Sequence, residues 1–165
     1  MDLQGRAPGQ ALLMNLTAHF SLEELTASET AARKGIDNTL PTELRPNIER
    51  LAHGLESIRL YLNLPIHVNS GYRCPELNRA VGGSKTSSHV LALAADIICP
   101  KLGDPLVLCR AIAGMPDLEC DQIIYEYGPK GWAHVGFSPP SKIARHQLLT
   151  INSTSNGYQE GFLMA

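Results

Sequence analysis

The chain has no apolar run approaching the length of a membrane-spanning helix, which argues against insertion into a bilayer. It has no basic patch either. Its 14 Lys and Arg against 16 Asp and Glu leave a net charge of -2, which argues against a nucleic-acid partner. There is no C-x-x-C, and none of Cys74, Cys99, Cys109 and Cys120 stands at metal-ligand spacing, so buried free thiols are expected. The opening MDLQGRAPGQALLMNLTAHF lacks a charged segment followed by a long apolar one, so synthesis in the cytoplasm without a secretory signal is expected. What is present is 165 residues at 44% hydrophobic, enough for one soluble domain around a single core, expected as a monomer.

Residues 1–18 read as a loosely ordered lead, and the polar stretch 139–165, with Pro139-Pro140 and Asn152–Gly157, as a loop-like tail packed on or trailing the domain. Ser21 and Glu24 have capping-box spacing, and a second helical turn ends at Gly35. Pro41 and Pro46 bracket a break. Ile48, Leu51, Leu55, Ile58 and Leu62 then fall at helical spacing. Strands are predicted at 65–68, 94–98, 121–126 and 132–137, with a helix capped by Asp104 and begun by Pro105.

The chemistry concentrates in Ser87-Ser88-His89 through Asp96, and in Trp132-Ala133-His134. Nitrogen, oxygen and nitrogen ligands with a fourth position open are what a catalytic zinc site requires. From spacing alone, two hydrogen-bonded core histidines account for the pattern about as well. If Pro129-Lys130-Gly131 form a three-residue hairpin loop, Glu126 lies opposite His134 on the same face, with Gln122 and Ile124, while Tyr125 points away. A solvated strand-end glutamate is the plainer alternative for Glu126. His53 falls on the polar face of the long helix, and His19, His67 and His146 have no acid or His at useful spacing, so all four are expected to be ordinary.

Ser70-Gly71-Tyr72-Arg73, then Leu77-Asn78, then Ser87 through Asp96, then Trp132-Ala133-His134 resemble the motifs of the zinc D-Ala-D-Ala carboxypeptidase family, which also contains phage L-alanyl-D-glutamate endopeptidases. The resemblance spans roughly residues 19 to 138, the expected peptidase-like domain. Its pattern departs at Ala92, where the family has glycine, and at Gly131, where some relatives carry a catalytic carboxylate. It implies an α+β fold with a small central antiparallel sheet flanked by helices, and one zinc per chain held by His89, Asp96 and His134. It implies hydrolysis of an amide in the peptidoglycan stem peptide, with Glu126 as general base and Arg73 steadying substrate or developing charge. Arg73 paired with Glu76 is the alternative. Ser87, Tyr72 and Trp132 are expected at the substrate, with Asn78 and Tyr72 holding the Arg73 loop. Such an enzyme would reach the wall by release or as a virion component. The rival expectation is a non-catalytic zinc-containing binding or structural module.

Overall fold

The computed structural model describes residues 14–153 and 157–163. The expected loose lead therefore lies mostly outside the described residues. Its visible end is bonded to the first helix, Leu22 N donating to the Met14 carbonyl.

Helices α1 (Leu22–Thr26) and α2 (Glu29–Lys34) are capped by Ser21 and Ser28, and α2 ends on Gly35 at φ 66°. The long helix α3 (Arg45–Leu62) buries Ile48, Leu51, Ala52, Leu55 and Ile58 as its spacing predicts. Pro46 does not break the chain here. It occupies the first turn of α3, where a missing N–H costs nothing. Strand β1 (His67–Ser70) leads to α4 (Pro75–Ala80), then β2 (Ala94–Ile98), α5 (Pro105–Ala113, capped by Asp104), β3 (Cys120–Glu126) and β4 (Trp132–Phe137). All four cysteines are free and buried.

The fold is α+β, but the sheet is mixed and larger than expected. The tail supplies β5 (Gln147–Ile151), parallel to β3, and β6 (Gln159–Glu160), giving the order β1-β2-β4-β3-β5-β6. Thr150 fixes this end, its hydroxyl donating to the Gly161 carbonyl and accepting from Leu163 N. Sequence patterning missed these strands because they are short, and β6 buries nothing.

Side-chain alternation divides the sheet into two faces. Ala95, Ile97, Ile123, Tyr125, Ala133, Val135 and Phe137 enter the core with α3 and α5. Contact with α3 is so close that any Cβ on Gly54 would overlap the Phe137 ring. The even-numbered residues of β2 and β4, and those of β3 from Gln122 onward, occupy the opposite face; a register irregularity turns Cys120 into the core. Register places Ser70, Asp96, His134 and Ile124 in one row across β1, β2, β4 and β3.

Asp121, at the start of β3, anchors the segment that leads to β5. Its carboxylate accepts from Ser138 Oγ at 2.9 Å, from Arg145 N at 2.9 Å and from Arg145 Nη2 at 2.5 Å. The Arg145 hydrogen bonds hold the Asp121 pKa down at about 2, against an ordinary 3.8. A depressed carboxylate pKa contributes stability above the unfolded value and loses it as pH falls through the folded one. Asp121→Asn should cost about 1–2 kcal/mol at pH 7, allowing for screening at the half-exposed Arg145. Urea titrations should show the gap to wild type closing between about pH 4 and pH 2; a gap independent of pH would contradict this account.

Candidate metal centre and cleft

His89 does not lie in a strand. It sits in a 3-10 turn, Ser88–Leu91, whose N-cap Ser87 accepts from His89 N at 3.3 Å. Ala92 closes the turn at φ 55°, ψ 33°, the left-handed region where the family glycine would be free. That reversal lets His89 and Asp96, seven residues apart, meet. Asp96 and His134 are direct partners across β2 and β4.

The three ligand atoms form a small triangle. His89 Nε2 is 3.1 Å from Asp96 Oδ1 and 3.2 Å from His134 Nδ1, and His134 Nδ1 is 2.9 Å from Asp96 Oδ1. The Gly71 carbonyl accepts from His89 Nδ1 at 2.6 Å, so the proton sits there and Nε2 turns its lone pair inward. Burial lowers the His89 pKa, with Asp96 opposing the effect. Burial would raise that of Asp96, but His89 and His134 hold it well below the carboxylate range. A tetrahedral ion with bonds of about 2.0–2.1 Å has ligand edges of roughly 3.3 Å. The donor set and its dimensions fit zinc.

Arg73 turns to the centre rather than to Glu76. Its Nη2 is 2.7 Å from Asp96 Oδ2 and its Nε donates to Ser70 Oγ at 3.0 Å. The Arg73 loop is held by a residue that sequence inspection passed over. Asn38 donates to the Thr26 and Tyr72 carbonyls and accepts from Cys74 N at 2.7 Å. Nothing local marks it, since two of its three partners lie 34 and 36 residues away. Asn78 instead braces the following turn, donating to the Ser84 carbonyl. Tyr72, expected at the substrate, is only 2% exposed and packs in the core. His19, an ordinary histidine outside the cleft, pairs with the sequence-distant Glu56 at 2.6 Å.

The hairpin register differs from expectation by two residues. Glu126 lies opposite Trp132, and Ile124 opposite His134, because the loop has five residues, not three. The left-handed positions are Tyr127 (φ 62°) and Gly128 (φ 73°), while Gly131 has φ -88°. A shift of two preserves the face, so Glu126 still points to the metal side. Burial raises its pKa, with Asp96 adding to the effect and His134 opposing it. Gly131 is required by space: any Cβ there would overlap the Glu126 carbonyl oxygen, so no acid can stand at that position.

These groups share a cleft of about 720 Å³. Its lining includes the hydroxyls of Ser70, Ser84, Thr86, Ser87 and Ser88, from β1 and the segment before β2, and Ile124, Tyr127, Trp132, Ile151 and Tyr158, from the β3–β4 hairpin and the tail. Among the described residues, no helix is long and apolar enough to cross a membrane.

The Peptidase M15 family matches residues 18–116. The chain belongs to it. No curated protein matches the chain. Peptidases of this family are zinc-dependent. The matched region contains His89 and Asp96 but ends before Glu126 and His134, which rest on geometry.

Two outcomes follow. Zinc should raise the melting temperature of wild type, by about 2.7 kcal/mol of stabilisation at a hundredfold excess over Kd, and should not raise that of His89→Ala; equal shifts would place the metal elsewhere. Gly131→Ala should destabilise by about 1–3 kcal/mol, read from denaturant unfolding, because the hairpin must move to admit the methyl group.

Proposed function

We propose that the chain is a zinc peptidase that hydrolyses an amide bond of the peptidoglycan stem peptide, at a terminal D-Ala-D-Ala or an internal L-Ala-D-Glu linkage. The observation that carries this reading is the lone-pair triangle of His89, Asp96 and His134 with Glu126 on the same face of the sheet. When bound, zinc would supply Lewis acidity toward the amide carbonyl and toward water. Glu126 takes the proton from the attacking water and delivers it to the leaving amine, a role that its burial favours by raising its basicity. Arg73 fixes Asp96 and presents the rest of its guanidinium fork to the cleft. Ser87 orders the His89 turn, and Trp132 lines the cleft. A phage lytic enzyme falls within this reading. A non-catalytic zinc module is disfavoured because it has no use for a partly buried carboxylate on the metal side of the sheet.

Digesting purified sacculi and weighing the products tests the activity; no new amine termini with zinc bound would refute it. Glu126→Gln should keep zinc while the rate falls about a hundredfold to ten-thousandfold. Asp96→Asn should lose zinc itself, since a neutral amide is the poorer ligand. Full activity in Glu126→Gln would move the base elsewhere.

A further inference from the structure

Three of the chain's nine aromatic residues, among them its only tryptophan, line the cleft. The Tyr127 and Trp132 rings are 5.2 Å apart at 58°, and Tyr127 and Tyr158 are 40% and 56% exposed. Core packing accounts for none of that exposure. Tyr127 also holds a left-handed backbone at φ 62°, which a bulky side chain adopts only where the surroundings impose it. Trp132 Nε1 is buried and has no hydrogen-bond partner among the described residues; it lies near enough to Glu126 to lower that pKa, but not in hydrogen-bonding geometry. Tyr158 comes from the tail, held beside β5 by the Thr150–Gln159 register and by Gly161 N donating to the Leu148 carbonyl.

We propose that Tyr127, Trp132 and Tyr158 form a subsite for a pyranose ring of the glycan strand, next to the scissile bond. This rests on the peptidoglycan reading above. Sugar rings carry one flat face of C–H groups edged by hydroxyls, which suits exposed aromatic rings bearing polar tips. The serine and threonine hydroxyls from β1 and the segment before β2 are left for the peptide. A ring seated beside the metal requires that the cut bond lie close to the sugar-bearing end of the stem, not at its far terminus.

Trp132 supplies the probe, because the chain has no other indole. Zinc-loaded Glu126→Gln is titrated, with indole fluorescence as readout, with a muramoyl-L-Ala-D-Glu peptide and with the same peptide acetylated in place of the sugar. The sugar-bearing probe should bind at least tenfold tighter. Adding Tyr158→Ala should reduce that preference to within about twofold at unchanged zinc content, while Tyr158→Phe retains most of it. Equal affinities for the two probes would overturn the subsite, as would full preference in Tyr158→Ala. Failure of the peptidase reading shows separately, as intact sacculi after wild-type treatment, whatever the probes do.

Discussion

Asp96 is the residue around which the rest is arranged. It lies at 4% exposure in the middle of β2, and an unpaired carboxylate could not be held there. One oxygen faces two imidazole nitrogens, and the other takes the Arg73 guanidinium. Each partner comes from a different part of the chain: a loop after β1, a 3-10 turn and strand β4. Each has its own support, so His89 depends on the Gly71 carbonyl and Arg73 on Ser70. Asn38 then ties the backbone of that loop to α1 and α4, and a Cβ on Gly71 would overlap the Leu25 carbonyl oxygen. Such outer supports fix the orientation of the ligands before any metal arrives.

Sequence patterning was most reliable where burial repeats with a fixed period. Helix α3 shows its core stripe every three or four residues, and α5 announces itself through Asp104 and Pro105. The face of Glu126 was legible too, even though the loop length was misjudged, because a two-residue slip leaves strand parity unchanged. Register itself was not legible. It depends on Tyr127 taking a conformation that no propensity assigns to tyrosine. The tail strands escaped for a related reason: β5 buries only Thr150 and Ile151, so little hydrophobic pattern exists to read.

The site divided along the same line. His89, Asp96 and His134 stand in short motifs whose residue types betray their chemistry. Asn38 and Tyr158 work through contacts separated by tens of residues or through position in the cleft, and neither leaves a local trace. Tyr72 failed in the other direction. It stands beside Arg73 in the motif, yet adjacent residues in an extended segment point to opposite sides, so one neighbour enters the cleft and the other the core.

Two strained positions flank the functional face, and their placement is informative. Ala92 ends the His89 turn and Tyr127 ends β3 just after Glu126, both in the left-handed region. Each costs about 1–2 kcal/mol relative to ordinary backbone. Neither reversal could be relaxed locally without moving a functional side chain: Ala92 sets the approach of His89 to Asp96, and Tyr127 sets where Glu126 stops and Trp132 begins. The strain is held by what surrounds it. Ala92 is fully buried, with its N–H bonded to the His89 carbonyl, and Tyr127 N donates to the Ile151 carbonyl on β5. The tail strand thus does more than extend the sheet. By pinning Tyr127 it fixes the end of β3, and through β3 the distance between the candidate base and the metal ligands.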